Sequence, residues 1–164
     1  MRKRPAARIL LIDHDGRLLL FRYRHDDGPL AGMSYWATPG GALAEGETYA
    51  QAARRELREE TGIDADVGDE VASRHIQFVM PDGTMVDADE RFFMVRTSLA
   101  IDAENNPDPV ERAFIAEAKW WTGAELRATA DIVYPDNVAA MIEAALKSRH
   151  ASGASPAASK PIPQ

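Results

Sequence analysis

The chain has 164 residues, 45% hydrophobic and 27% charged, with no cysteine and a formal net charge of −7. That length suits one domain with a sizeable core, and the missing cysteines exclude a disulfide framework and a thiolate metal site. No segment approaches the roughly 18 unbroken apolar residues of a membrane span, and the apolar stretch after the basic Arg2-Lys3-Arg4 is too short for a secretory leader. An acidic balance repels nucleic acid. A cytoplasmic, untargeted protein with a small-molecule partner is expected, with no membrane partner and nucleic acid disfavoured.

In chain order, Arg8 to Ile12 and Leu18 to Phe21 are apolar and rich in strand formers, and Asp13-His14-Asp15-Gly16 between them makes a hairpin turn. A polar loop covers 23–34, and a short strand at Tyr35 to Thr38 stops at Pro39-Gly40-Gly41. Thr48 and Gln51 have the spacing of a capping box, good helix formers run on to Glu60, and Gly62 sits where a left-handed residue ends a helix. A helix over Tyr49 to Thr61 follows. Strands are expected at Val71 to Met80 and Arg91 to Ser98 around a Pro81-Asp82-Gly83 turn, then a loop over 102–109 and a short strand at Lys119 to Thr122. A helical turn near Ala124 to Ala128 and a helix from about Asn137 to Lys147 complete a domain over 5–148. Residues 149–164 are Ala, Ser and Pro-rich and read as a disordered tail. Strands and helices mix without regular alternation, which predicts an α+β domain, a mixed-sheet sandwich flanked by helices.

In the central helix, Glu56, Glu59 and Glu60 stand at i, i+3 and i+4, within an arc of about 100°. Like charges so placed repel, and a divalent cation reverses the sign of that interaction. Hard oxygen donors suit Mg²⁺, or Mn²⁺ as a substitute, rather than zinc. Taken alone, three carboxylates so spaced are more often a solvated acidic face.

The surroundings decide between these readings. From Gly41 the chain runs five residues to Glu47, then seven more to Arg55-Glu56-Leu57-Arg58-Glu59-Glu60-Thr61-Gly62-Ile63. This resembles the complete Nudix box, with aliphatic Leu57 and Ile63 in the apolar positions. The resemblance implies a Nudix-like α/β/α sandwich and a Mg²⁺-dependent pyrophosphohydrolase acting on nucleoside diphosphate derivatives. It implies Glu56, Glu59 and Glu60 as metal ligands, with the Gly41 carbonyl as a further one. Glu47 and Arg55 would form a supporting ion pair, and Gly40 and Gly41 would let the backbone turn beside the metal. Glu56 and Glu59 are also candidates for the catalytic base. The compact length leans towards small nucleotides, nucleoside triphosphates or NDP-X compounds. The alternative is a catalytically inactive Nudix-fold nucleotide-binding or regulatory module.

Members of the family often add a glutamate from a later loop. Glu111 and Glu117 are the candidates here, Glu111 being preferred because a loop residue can swing over the site, with Glu90 a weaker third. Arg22 and Arg24 alternate along a strand end, where they contact substrate phosphates or stand as solvated charges. Arg74 and Arg91 read the same way. Of the adjacent Trp120 and Trp121, one faces inward and one outward, and Trp121 is taken as the outward residue that stacks a base. The histidines, His25 among them, receive no role.

Overall fold

Strand pairing here is driven by two faces of apolar side chains that alternate with period two. The computed structural model describes residues 1–104 and 106–154. In β1 (Arg2–Ile12), Ala7, Ile9 and Leu11 enter one core while Leu10 and Ile12 enter the other. In β2 (Leu18–Arg24), Leu19 and Phe21 take the first face and Leu18 and Leu20 the second. Such strands are buried on both faces, so the sheet must lie between two layers of helix.

The remaining elements are β3 (Ser34–Ala37), β4 (Gly40–Ala42), α1 (Tyr49–Thr61), β5 (Glu70–Val79), β6 (Met85–Arg96), α2 (Pro109–Phe114), β7 (Ile115–Trp121), α3 (Gly123–Ala128), β8 (Val133–Tyr134) and α4 (Val138–Ala154). The sheet runs β5-β6-β1-β2-β3-β8, with β4 added to β1 and β7 to β2. The β1–β6 and β3–β8 pairs are parallel and the others antiparallel, so the sheet is mixed. Helix α1 covers one core through Ala52, Ala53 and Leu57. Helix α4 covers the other through Val138, Met141, Ile142 and Ala145. This is the α+β sandwich expected from the sequence.

Helix α1 has the predicted bounds, because its ends are chemically marked. The Thr48 side chain accepts from the Gln51 backbone, the Gln51 side chain accepts in return from the Thr48 backbone, and Gly62 closes the helix at φ 78°. Two alanines on its inner face let it approach the sheet closely.

Several elements exceed their expected bounds. Strand β1 begins at Arg2 rather than Arg8, and β6 at Met85 rather than Arg91; the two pair in parallel from Arg2↔Val86 to Ile12↔Arg96. Their added halves are rich in charge, and partners across the sheet neutralise it: Lys3 with Asp87, and Arg8 and Arg74 with Glu90. The loop expected over 102–109 gives way at Pro109 to α2, whose cap Asp108 accepts from the Val110 and Glu111 backbones. Helix α4 continues to Ala154, past the boundary drawn at 148. Residues 155–164 of the expected tail lie outside the described residues.

Candidate active site

The inner face of α1 carries two glutamates in a place that normally holds apolar side chains. Glu56 and Glu60, one turn apart, are 7% and 1% exposed. Glu111 of α2 comes to meet them, and one carboxylate oxygen from each of the three lies within 4.8 Å of the others. Burial and the Glu111 charge push the Glu56 carboxyl up to about 7. Burial, Glu111 and Glu56 push Glu60 well above the usual carboxylate range. One Glu60 oxygen, Oε2, accepts from the Gly40 backbone N–H at 2.7 Å. The other, Oε1, is buried with no donor among the described residues. Buried carboxylates that repel one another and leave an oxygen unpaired are costly. A hard divalent cation satisfies all of these terms at once, and the donor set is the one such ions take.

Glycine is required where β4 passes this cluster. A Cβ on Gly41 would lie 2.5 Å from Glu56 Oε1, and one on Gly40, whose φ is 139°, would lie 2.1 Å from the Ala7 carbonyl oxygen. Only bare backbone can thread between β1 and α1 here. Arg55 holds the flank. Its Nε and Nη2 donate to the two oxygens of Glu47 at 2.7 and 2.9 Å, and Nη2 also donates to the Ala42 carbonyl. Its Nη1 donates to Glu56 at 3.0 Å and to Glu59 at 3.2 Å. The Glu47 hydrogen bonds from Arg55 hold that carboxyl below its usual range. Glu59 is more exposed than Glu56 and Glu60 and stands at the rim, outside the group of three.

Glu111 is set by local structure. Asp108 caps α2, Pro109 opens it, and buried Asn106 donates to Glu111 Oε2 at 3.1 Å. Pro at the first position loses no helix hydrogen bond, so even this short helix is well defined at its start. Phe114 at its end packs on the buried His25 ring at 4.9 Å between centroids. His25 in turn contacts the Tyr35 hydroxyl at 3.1 Å.

Beside the cluster opens a cleft of about 380 Å³. Arg8 Nε and Arg74 Nε donate to the two oxygens of Glu90, at 3.0 and 2.6 Å. Burial alone would raise the Glu90 carboxyl, but the two guanidiniums outweigh it and hold it low. Tyr35 and Tyr134, edge to face at 5.5 Å, form one wall, and Ile76 and Phe78 of β5 line another. Arg8 Nη1 also reaches the Thr38 and Gly40 carbonyls at 3.4 and 3.5 Å. The cleft therefore joins the carboxylate cluster through Gly40.

Three expectations outside the motif need correction. Trp121 is the inward member of its pair: it is 3% exposed and packs edge to face on Trp36 at 5.0 Å, so it is core and cannot stack a base. Trp120 packs against the opposite core. Glu117 is exposed on β7, opposite Arg22, and is not part of the carboxylate group. Arg22 donates to Ser34 Oγ, and exposed Arg24 lies 3.6 Å from Asp26; neither lines the cleft. Sequence reasoning gave Arg8 no role and left Arg74 between a phosphate contact and a solvated charge. Their place depends on the register of β1, β6 and β5, which no local pattern encodes.

A model of the NUDIX domain family matches residues 2–140. The chain is 39% identical over 72 residues to an RNA pyrophosphohydrolase of Erythrobacter litoralis, covering 44% of this chain and 42% of that protein. It is 44% identical over 63 residues to a CTP pyrophosphohydrolase of Escherichia coli, covering 38% and 44%. The chain thus matches less than half the length of either relative. A MutT protein structure from Methanosarcina mazei superposes with a TM-score of 0.65 at 18% identity, covering 90% of this chain and 96% of that one. The NUDIX domain of Shewanella oneidensis NrtR, complexed with ADP ribose, gives 0.61 at 18%, covering 91% and 90%. At these identities the structural likeness speaks for the fold.

Proposed function

The chain belongs to the Nudix family, and from that premise we propose that it is a Mg²⁺-dependent pyrophosphohydrolase that cleaves a phosphoanhydride bond in a small nucleotide, a nucleoside triphosphate or an NDP-X compound. One observation carries the reading: three carboxylates of α1 and α2 converge with a buried, unpaired oxygen beside a cleft of about 380 Å³. Glu56, Glu60 and Glu111 would hold the metal, with Mn²⁺ as a substitute for Mg²⁺, and the Gly41 backbone lies against Glu56. When bound, such an ion neutralises charge on phosphate oxygens and makes water more acidic.

The rest falls to the chain itself. Arg55, pinned by Glu47, fixes the rotamers of Glu56 and Glu59, so the carboxylates need not reorganise as charge develops. Glu59, partly exposed and ion-paired with Arg55, would be the base that takes a proton from water. The Tyr35–Tyr134 wall offers aromatic surface to a base.

The RNA pyrophosphohydrolase relatives favour a second reading, in which the triphosphate is carried by an RNA 5′ end. The test is a panel of nucleoside triphosphates, nucleotide sugars, ADP-ribose and 5′-triphosphorylated RNA, incubated with and without Mg²⁺ and resolved by chromatography. Metal-dependent cleavage of a free nucleotide supports the first reading, and cleavage of RNA alone the second. Binding without turnover anywhere would make the chain an inactive nucleotide-binding module and refute both.

A further inference from the structure

On an acidic protein, Arg8 and Arg74 both line the cleft, and Arg4 stands beside it against Phe78. Arg4, Arg8 and Arg74 gather around Glu90, which spends one oxygen on Arg8 and the other on Arg74. Arg4 has no share in those bonds. Its guanidinium lies 5.7 Å over the ring of Phe78, a cleft residue, and its Nη1 is buried with no acceptor among the described residues. Glu90 uses only the Nε atoms of its partners, so both Nη atoms of Arg74 keep their donors for another group. Three guanidiniums against one carboxylate leave an excess of positive charge. A buried charge without a partner is costly, and guanidinium edges that offer only donors match phosphate oxygens. Arg4 carries the mark of this deficit: burial and the neighbouring Arg8 charge lower its pKa, against the weaker pull of Glu90 and Glu56.

We propose that Arg4, Arg8 and Arg74 around Glu90 form an anion subsite for a substrate phosphate beyond the diphosphate held at the carboxylate cluster, which makes the substrate a 5′-triphosphate rather than an NDP-sugar. Arg8 links the two sites, bonded to Glu90 on one side and reaching the Gly40 carbonyl on the other. The assignment rests on the hydrolase reading for its substrate, but the subsite itself can be tested without turnover.

Inorganic tripolyphosphate is titrated into wild-type protein, Arg4→Gln and Arg74→Gln in excess EDTA, and binding is followed by calorimetry and thermal melting. Without metal the carboxylates repel the probe, so binding reports the arginines. Wild type is expected to bind and to melt higher, and each variant to bind about tenfold or more weaker, the worth of one charge-assisted hydrogen bond. Arg4→Gln without ligand should melt close to wild type, because it gives up only the contact with the Phe78 ring and no hydrogen bond of Nη1; Arg24→Gln, at the exposed strand end, should bind as wild type does. No binding by wild type, or equal binding by Arg4→Gln, overturns the subsite. With Mg²⁺, Arg4→Gln should lose kcat/KM on triphosphates and not on a nucleotide sugar; an equal loss on both also overturns it. Comparing a free nucleoside triphosphate with 5′-triphosphorylated RNA then identifies the carrier. Tripolyphosphate binding without any hydrolysis would refute the hydrolase reading and leave the subsite standing; hydrolysis without arginine-dependent binding would do the reverse.

Discussion

Glu56→Gln is expected to stabilise the metal-free protein at neutral and alkaline pH while removing the response to metal. In the folded chain the Glu56 carboxyl is pushed from 4.5 to about 7, first by burial and then by the Glu111 charge. A raised carboxylate pKa means the folded state holds the proton more tightly than the unfolded state does. Stability is therefore full below about pH 4.5 and falls as pH rises through about 7. At 1.36 kcal/mol per pKa unit the loss from this group is about 3 kcal/mol, on the order of 6–12 °C in melting temperature for a chain of this size. Glutamine keeps the shape without the charge, so the variant should lack this slope. The assay is calorimetric melting of both proteins in EDTA between about pH 5 and 8. Subtracting one curve from the other removes groups that do not interact with Glu56, including buried His25, whose lowered pKa acts in the opposite sense; Glu60, raised partly by Glu56, moves with it. Mg²⁺ at about a hundred times its Kd should then restore about 2.7 kcal/mol to the wild type at high pH, and much less to the variant. A flat difference curve would refute the reasoning, because it would mean that Glu56 ionises in the fold as freely as in water.

Gly41→Ala places a methyl 2.5 Å from a Glu56 oxygen; melting should show a cost of about 1–3 kcal/mol and a reduced Mg²⁺ shift. Arg55→Lys loses the planar fork that serves Glu47, Glu56 and Glu59 together. At saturating Mg²⁺ it should lower kcat more than it raises KM, and an unchanged kcat would remove Arg55 from the account. Trp121→Ala should cost about 3–5 kcal/mol in denaturant unfolding, whereas Trp121→Phe keeps KM, since the ring fills the core rather than touching substrate.

What could be read beforehand follows from how local each signal is. Helix α1 was legible residue by residue, because Thr48, Gln51 and Gly62 mark its ends and the spacing of Glu56 and Glu60 fixes their common face. Helix α2 was missed although Asp108-Pro109 is a start signal of the same kind; the Asn and Pro residues before it outweighed that signal in a loop reading. The early halves of β1 and β6 carry no strand signal because charge argues against a strand until its cross-strand partner is known. The cleft was invisible for the same reason. Arg8, Glu90 and Arg74 are far apart in sequence and meet only through a parallel pairing, β1 on β6, followed by an antiparallel one, β6 on β5. The tryptophan pair shows the limit of alternation, which puts the two rings on opposite faces without saying that both faces are covered.

The most direct test of the central claim is nucleoside triphosphate hydrolysis measured against Mg²⁺ concentration for wild type and Glu60→Gln. The account predicts turnover that rises from nothing with added metal, and a loss of at least about a hundredfold in the variant, since even residues that only support a metal ligand cost 10–100-fold. Turnover that persists in EDTA, or a Glu60→Gln protein as active as wild type, would contradict it.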